Sequence, residues 1–539
     1  MLQNNLLSLI VFIPLIAALL LGVSPKVSEK FSRGFAFVAS IITFLLSLLI
    51  LDRFDVNDPG IQLLENYSWI PSFGINYKIG IDGISLWLVL LTTFLMPLIV
   101  TASVSVHSKV KGYLVCMLAL ESAMLGALVS LDLFLFYLFW ELMLAPMYFI
   151  IGIWGGARRV YATLKFVLYT VAGSVLMLVA ILFVVWRAYE LSQPQLVTFD
   201  LEALLANTSF SITEELWLFL AFAIAFGIKV PVFPFHTWLP DAHVEAPTGG
   251  SVVLAGVLLK MGIYGFLRFG YPLFPRAAEQ FSLFICILAV IGIIYGALVA
   301  WAQSDIKKLV AYSSVSHLGY CVLGLVALNS VSTTGSIYQM LNHGVSTGAL
   351  FLLVGVLYDR KHTRQIADYG GLAAKVPLFA ALFLIFTLSS IALPLTNGFV
   401  GEFMILAGSF KTFPWLTAVA GIGVILGAVY MLTLYKETVF GELDPAKNGD
   451  LEDVNTRELL TFAPLLVLVF VMGIYPQPFI ERIEPSVNQY LSLLDERSTF
   501  LEEVNRGESA PVSEPASSNV ITASSPSIEF DSTQEGVAL

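Results

Sequence analysis

One lysine lies deep within an apolar stretch, where a charged side chain is costly. Lys229 follows Glu215 by 14 residues and precedes Asp241 by 12, so at about 1.5 Å per helical residue it lies roughly 18–21 Å from either end. A lysine stem of about 6 Å does not reach water from there. Burying its charge at mid-membrane costs about 2.5–3.5 kcal/mol on insertion scales. Lys229 therefore needs a partner or a water cavity.

The chemistry that such a lysine supports is proton transfer. Burial favours the neutral amine and a nearby carboxylate favours the ammonium form, so a change in the carboxylate's influence loads or unloads a proton. Glu141, inside the apolar run 134–153, is the predicted partner. The alternative is a buried pair with a purely structural role.

Other ionisable residues lie in further apolar segments and extend this pattern. Histidines titrate near neutral pH and suit a relay, while a carboxylic acid beside a helix break suits a terminal site. The structural alternatives are a lysine near a helix end, a hydrogen-bonded core histidine and a capping carboxylate. The candidates are Lys260, His317, His343 and Glu402, with Glu121 and Lys436 as weaker ones.

The same residues recur at a near-constant offset along the chain. The pairs are Glu141 with His317, Lys229 with Glu402, and Lys260 with Lys436, at separations of 176, 173 and 176 residues. Segments 213–238 and 375–408 are both interrupted by prolines, which is typical of transporters built from inverted repeats. The spacing predicts two homologous halves of about five helices each, the second inverted because an odd number of crossings reverses orientation.

Composition places these segments in a membrane. The chain is 57% apolar and 12% charged, with a mean hydropathy of +0.84, and runs of about 17–25 apolar residues, long enough to span a bilayer, recur along it. We therefore predict an all-α polytopic membrane protein with about fourteen transmembrane helices and Pro-broken helices in both repeats. The predicted helices are 6–23, 33–51, 84–105, 112–130, 132–153, 162–187, 213–238, 247–269, 279–301, 308–328, 334–357, 375–408, 413–437 and 458–475.

The predicted organisation has five parts. They are 1–111 with the first three helices, 112–270 as the first repeat, 279–437 as the second, 438–495 with the last helix, and 496–539 as a tail. The tail is rich in Ser, Glu, Pro and Thr, so we expect disorder there. Lys and Arg collect in the loops near 26–33, 109–111, 158–159, 307–308 and 360–364, which predicts a cytoplasmic side. The opposite loops are acidic, which places both termini outside the cytoplasm or in a lumen.

Several function classes find no support in the sequence. There is no phosphate-binding loop, dinucleotide fingerprint or metal-ligand cluster, and His236 and His243 lack zinc spacing. The three cysteines, Cys116, Cys286 and Cys321, lack the CxxC spacing and the number that an iron–sulfur cluster requires. The net charge of −11 comes largely from loops and the tail, so nucleic-acid binding is not expected.

Three motifs carry a resemblance to a known family. They are the stretch from Lys229 to Pro247 (KVPVFPFHTWLPDAHVEAP), the run from Phe139 to Pro146 (FWELMLAP), and Asp82-Gly-Ile-Ser85. The chain resembles the antiporter-like, proton-pumping subunits of complex I over nearly all of 1–475, and most of all the chain 4 type of cyanobacterial or chloroplast NAD(P)H-quinone oxidoreductases. The resemblance implies that Glu141 and Lys229 form a coupled pair, with Lys260 as connector and Glu402 as terminal site. It also implies that His317 and His343 are relays.

The predicted function is therefore proton translocation by a non-redox subunit of a translocase. The resemblance implies electron transfer elsewhere in the complex, from NAD(P)H or ferredoxin to plastoquinone, in a photosynthetic thylakoid membrane with both termini lumenal. We expect no cofactor in this chain, iron–sulfur clusters and quinone in other subunits, and other membrane-arm subunits and lipids as partners. One alternative is a subunit of a multi-subunit cation/proton antiporter, against which Glu402 argues, since related chains usually have lysine there. The other is a structural scaffold.

Overall fold

The computed structural model describes residues 5–25, 27–192, 195 and 197–506. Lys26, which belongs to one of the basic loops, and residues 507–539 of the predicted tail lie outside the described residues.

Helices form most of the described chain. The first half contains α1 (Leu6–Val23), α2 (Glu29–Arg53), α3 (Leu86–Ala102), α4 (Val110–Val129), α5 (Leu133–Leu142), α6 (Leu144–Trp154), α7 (Arg159–Leu191), α8 (Leu201–Asn207), α9 (Ile212–Lys229), α10 (Trp238–Glu245), α11 (Thr248–Val253), α12 (Lys260–Gly265) and α13 (Tyr271–Leu273). The second half contains α14 (Pro275–Trp301), α15 (Ile306–Val326), α16 (Ser330–Lys361), α17 (Leu372–Lys375), α18 (Pro377–Ser390), α19 (Asn397–Thr412), α20 (Pro414–Val439), α21 (Pro445–Asn448), α22 (Thr456–Ile474) and α23 (Gln477–Arg506). Short 3-10 turns lie at Pro71–Phe73, Ser103–Ser105, Phe235–Thr237 and Ile366–Asp368.

The helices confirm the predicted membrane architecture. Twelve helical segments in the described part of the chain are long and apolar enough to cross a membrane. Two further segments are interrupted: α9 and α10 are separated by 230–237, and α18 and α19 by 391–396. Together these segments correspond one to one with the predicted helices, and the interruptions lie where the prolines predicted them.

The innermost helices carry three of the candidate residues, Lys260, His317 and His343. The 18-residue stretch compared in each helix is wholly buried in Thr248–Leu273 and 94% buried in Ile306–Val326 and in Ser330–Lys361. The outer segments α1, α2, α7, α14, α20 and α22 are less than half buried and expose large apolar side chains. This pattern fits a membrane, where apolar outer surfaces face lipid and polar groups face the bundle interior.

Side-chain caps define where three of the important helices begin. Asp132 accepts hydrogen bonds from Phe134 N and Leu135 N at the start of α5. Asp305 does the same for Lys307 N and Lys308 N at the start of α15. A reciprocal capping box between Ser211 and Glu214 opens α9. Such caps satisfy backbone N–H groups that the first helical turn leaves unpaired.

A short β-hairpin accompanies the helices, and the described chain is otherwise nearly all helical, as predicted. Strands β1 (Gln62–Ile70) and β2 (Ile75–Ile81) pair antiparallel between α2 and α3, in a stretch too short and too polar to be predicted as a transmembrane helix. The Glu65 carboxylate of β1 accepts a 2.8 Å hydrogen bond from Leu7 N, and Lys78 of β2 forms a 2.6 Å ion pair with Asp200. The hairpin therefore ties the ends of several helices together.

A long C-terminal helix corrects the predicted boundary of the tail. Residues 496–506, expected to be disordered, continue α23. The buried residues of α23 recur every three or four positions, with Ile483, Val487, Tyr490 and Leu494 among them, so one face packs against the bundle although the helix as a whole is polar. The high content of charged residues concealed this amphipathic pattern.

The loops gather on two opposite sides according to charge. The basic side chains bind carbonyls of neighbouring turns: Lys111 Nζ donates to Ser24 O at 2.6 Å, Arg33 to Ser103 O at 2.6 Å, and Lys307 Nζ to Ala246 O at 2.6 Å. The other side holds the hairpin, the acidic loops and α23. This agrees with the predicted separation of basic and acidic loops.

Candidate functional site

Lys229 lies where the first interrupted helix breaks. It is the last residue of α9 and is 4% exposed. Its Nζ lies 4.7 Å from the centre of the Trp140 ring, and an aromatic face stabilises a cation at that distance. Trp238, just beyond the break, donates a 2.9 Å hydrogen bond to Ile228 O and so satisfies one of the carbonyls that the break exposes. The lysine therefore occupies a fixed position, and none of the residues that the structure describes is hydrogen-bonded to it as a counter-ion.

The predicted pairing of Lys229 with Glu141 is electrostatic rather than direct. Glu141 lies in α5, is half-buried and interacts with the Lys229 charge, yet no ion pair within 4.0 Å joins them in the described residues. The Tyr137 hydroxyl, one turn earlier on α5, lies against the Glu141 carboxylate. The two charges therefore influence one another without direct contact.

Lys260 lies at a distortion in the central helix. Two π-helical segments, Leu254–Leu258 and Phe266–Gly270, flank the short α12 that begins at Lys260. Such segments disturb the regular hydrogen-bond ladder and are frequent at functional sites. Lys260 Nζ donates to Ala255 O, in the first of these segments, and lies 2.7 Å from His343 Nδ1. The lysine is 1% exposed, so these two groups are its immediate surroundings.

The charge state of Lys260 decides which nitrogen of His343 carries the proton. An ammonium group can only donate, so His343 Nδ1 must accept from a charged Lys260 and the ring proton resides on Nε2. His343 Nε2 is buried and has no hydrogen-bond partner among the described residues. This histidine therefore presents an unused N–H on the side opposite the lysine.

His317 and Glu402 form the second direct contact of the site. His317 Nδ1 lies 2.8 Å from Glu402 Oε1, and Gln339 Nε2 donates to the same oxygen at 2.9 Å. The other ring nitrogen of His317, Nε2, lies 3.4 Å from the hydroxyls of Ser390 and Tyr430. The carboxylate thus holds the histidine from one side while two hydroxyls border it on the other.

A small polar cavity separates the two pairs. The rings of His317 and His343 have centres 6.0 Å apart. The space between α15, α16, α18 and α19 that both histidines border measures about 10 Å³, which is about what one water molecule requires. Asn342 also lines it, and its Oδ1 is buried without a partner in the described chain. A single water there would satisfy groups that are otherwise unpaired.

Two candidates and two other histidines lie apart from this cluster. Glu121 is fully buried in α4 and accepts a 3.3 Å hydrogen bond from Ser40 Oγ. Lys436 is exposed in the last turn of α20. The 176-residue offset from Lys260 therefore leads to an exposed lysine and not to a buried one. His236 packs against Phe233 and Tyr295, while His243 stacks on Phe351 with ring centres 4.6 Å apart. These four residues make no hydrogen bond to the cluster.

Several neutral residues of the site were not predicted from the sequence. They are Trp140, Gln339, Asn342, Ser346, Ser389, Ser390, Asn397 and Tyr430. Polar residues at helical spacing on α16, at positions 339, 342, 343 and 346, mark a polar face within an otherwise apolar segment. That spacing is the signal that could have identified them.

The chain is similar to known proteins along most of its length. Residues 130–428 match the family described as "NADH:quinone oxidoreductase/Mrp antiporter, TM". The chain is 49% identical over 493 residues to the NADH-quinone oxidoreductase subunit M of Rhodobacter capsulatus, covering 90% of this chain and 96% of that one. It is 46% identical to the NADH-ubiquinone oxidoreductase chain 4 of Marchantia polymorpha, covering 89% and 96%.

A solved structure extends the similarity to three dimensions. The chain superposes on a chain of the respiratory complex I from Thermus thermophilus with bound NADH, with a TM-score of 0.81 and 35% identity, covering 90% of this chain and 99% of that one. The chain belongs to the NADH:quinone oxidoreductase/Mrp antiporter family of transmembrane proteins.

Proposed function

We propose that this chain translocates protons as a membrane-arm subunit of an NADH-quinone oxidoreductase. Electron transfer takes place in other subunits of the complex, which hold the iron–sulfur clusters and the quinone, and this chain binds no cofactor. Its partners are other membrane-arm subunits and lipid. The similarity to quinone oxidoreductase subunits along nearly their whole length supports this assignment.

The observation that carries the proposal is the buried series of proton-binding groups. Lys260 contacts His343, a water-sized cavity lies between His343 and His317, and His317 contacts Glu402. Buried ionisable residues inside a membrane bundle are costly and mark ion or proton pathways. If the charges served only to hold helices together, one ion pair at each helix contact would be enough. The unused N–H of His343 would then have no role.

The geometry supports a relay in which each histidine takes up a proton on one nitrogen and releases one from the other. Transfer from Lys260 Nζ to His343 Nδ1 leaves a neutral amine and an imidazolium. The imidazolium then releases its Nε2 proton to a water in the cavity and returns to a neutral ring. The water passes a proton on to His317 Nε2, and the Nδ1 proton of His317 moves to the Glu402 carboxylate. Each step makes one bond to hydrogen and breaks another.

The finer predictions about the type of complex lack support from the comparisons. The relatives compared are bacterial and mitochondrial, whereas plastoquinone, ferredoxin, a thylakoid location and lumenal termini were implied by resemblance to cyanobacterial and chloroplast chains. We therefore propose NADH as the electron donor, by analogy with the names of these relatives. The family description includes antiporters of the Mrp type, but no feature of the site favours that alternative.

The test uses the assembled complex in proteoliposomes, with quinone reduction and proton uptake measured together. Lys229→Met and Lys260→Met keep the length of the side chain but bind no proton, so we expect assembled complexes with strongly reduced pumping. Lys436→Met is the matched control because that lysine is exposed. Normal pumping by both variants of the buried lysines in fully assembled complex would instead support the scaffold hypothesis.

A further inference from the structure

Asn397 connects the second interrupted helix to its neighbours. It is the first residue of α19, directly after the break, and is fully buried. Its Nδ2 lies 3.3 Å from Asn342 O in α16. A backbone carbonyl can only accept a hydrogen bond, so the amide nitrogen must face it and the orientation of the side chain is determined.

With that orientation, Asn397 closes a ring of hydrogen bonds with two serines. Its Nδ2 donates to Ser346 Oγ at 3.1 Å, and its Oδ1 accepts from Ser389 Oγ at 2.6 Å. The two serine oxygens lie 2.6 Å apart. Ser346 Oγ also lies 3.3 Å from Asn397 Oδ1, but its 2.6 Å contact with Ser389 Oγ is much shorter. Because the Ser389 proton is directed to the amide, Ser346 therefore donates to Ser389. The ring runs in one direction, and neither serine has a proton left for the cavity.

Close backbone packing accompanies this ring. A Cβ at Gly398 would lie 2.2 Å from Ser389 O, and one at Gly401 would lie 2.5 Å from Gln339 Oε1. The contact at Gly398 is with backbone, so only glycine permits this approach of α19 to α18. At Gly401 a Cβ would displace the Gln339 side chain and lie 3.0 Å from Gln339 Cα, so glycine also favours the close approach to α16. The break is therefore held at a defined distance from both helices.

Each member of the ring is close in the chain to a residue of the relay. Ser346 follows His343 by three residues on α16. Ser389 precedes Ser390, whose hydroxyl lies 3.4 Å from His317 Nε2. Asn397 precedes Glu402 by five residues on α19. A shift of the ring would therefore move both sides of the cavity at once.

We propose that Asn397 is a positioning residue for the proton relay. Through the ring with Ser346 and Ser389, it holds α18 and α19 against α16 so that Glu402 stays on His317 and the space between the two histidines remains the size of one water. This inference rests on the proposed function, because it assigns a role within that same relay. Asn397 itself carries no proton.

The experiment compares single substitutions in the assembled complex, reconstituted in proteoliposomes. For Asn397→Ala, Ser346→Ala and Ser389→Ala we expect pumping per assembled complex to fall about tenfold, the effect of roughly one lost buried hydrogen bond on a transfer step. Ser409→Ala is the matched control, because this buried serine of the same helix donates only to Leu323 O. A loss confined to the amount of assembled complex, with unchanged pumping per complex, would overturn the proposal.

Asn397→Asp provides a readout that a purely structural role would not change. A protonated carboxyl group has one donor and one acceptor and can close the ring, whereas a carboxylate cannot donate to Ser346. We therefore expect its pumping, relative to wild type at each pH, to recover on acidification, while that of Asn397→Ala does not. The titratable groups around the ring are His317, His343, Glu402 and Lys260, and they are present in wild type too. Equal pH profiles for the two Asn397 variants would contradict the proposal.

Failure of this inference is distinguishable from failure of the proposed function. Glu402→Gln, measured alongside, tests the relay itself. If Glu402→Gln stops pumping while the ring variants pump like wild type, the relay stands and the role of Asn397 is wrong. If Glu402→Gln pumps like wild type, the proposed function fails as well.

Discussion

Replacing Glu402 by glutamine separates proton transfer from packing. His317 Nδ1 and Gln339 Nε2 both approach the same oxygen, Oε1, at 2.8 and 2.9 Å. The amide oxygen of glutamine can accept both hydrogen bonds. A hydrogen bond to a charged acceptor contributes about 1.5–3 kcal/mol, whereas a neutral one contributes about 0.5–1.5 kcal/mol. We expect a stability loss of about 1 kcal/mol per bond, while the site no longer binds a proton.

Glu402→Ala is the informative comparison. Alanine leaves the two buried donors without an acceptor, which costs about 1–3 kcal/mol for each donor, and also creates a cavity. Thermal stability of the purified complex should therefore decrease from wild type to Glu402→Gln and further to Glu402→Ala. Proton uptake in proteoliposomes should be lost equally in both variants. The reasoning is refuted if pumping follows stability across the three proteins, or if Glu402→Gln pumps like wild type.

Three further predictions concern other parts of the molecule. Trp140→Leu removes an aromatic face worth about 1 kcal/mol to the lysine ammonium beside it, so pumping should fall roughly fivefold, with partial recovery in Trp140→Phe. Gly398→Ala places a Cβ 2.2 Å from a backbone oxygen of α18, whereas the Cβ of Gly421→Ala meets no atom within 4 Å. Blue-native electrophoresis should therefore show loss of the assembled complex for Gly398→Ala but not for Gly421→Ala. Burial raises the pKa of Asp132 from 3.8 to about 6. The folded protein therefore binds the Asp132 proton more tightly than the unfolded chain does. The stability that this proton contributes is complete below about pH 4 and is lost as the pH rises to about 6. Denaturation midpoints between pH 4 and 6 should show this slope in wild type but not in Asp132→Asn.

Apolar run length and proline position predicted the membrane architecture well. Both signals are local, because spanning a bilayer requires a continuous apolar stretch and a proline removes a backbone donor wherever it occurs. The hairpin at 62–81 and the helix α23 were missed for the opposite reason. Each is polar along its length and gains its stability from contacts with distant residues, such as Trp87 Nε1 donating to Phe479 O at 3.2 Å.

The site was predicted in its ionisable members but not in its contacts. A buried charge is conspicuous in an apolar segment, whereas Gln339 and Asn397 are ordinary polar residues until the fold places them beside Glu402 and the serines. The constant offset also proved a weak guide to structural equivalence. Lys229 ends the first half-helix of its segment, before the break, while Glu402 is the sixth residue of the half-helix after the break. The inverted repeat itself stays a prediction.

The two interrupted helices hold their charges by different means. Glu402 is fixed by direct hydrogen bonds, so the proton transfer from His317 that we propose needs no movement of the backbone. Lys229 makes no hydrogen bond through Nζ among the described residues and is held by an aromatic face and by a carboxylate that it does not touch. Between Lys229 and Lys260, a Cβ at Gly262 would lie 2.5 Å from Phe226 O, so α12 packs directly on α9. The proposed relay from Lys260 to Glu402 therefore consists of two direct contacts and a water-sized cavity between them. In the described residues no hydrogen bond joins Lys229 to Lys260, so the packing of α12 on α9 is the structural link between these two lysines.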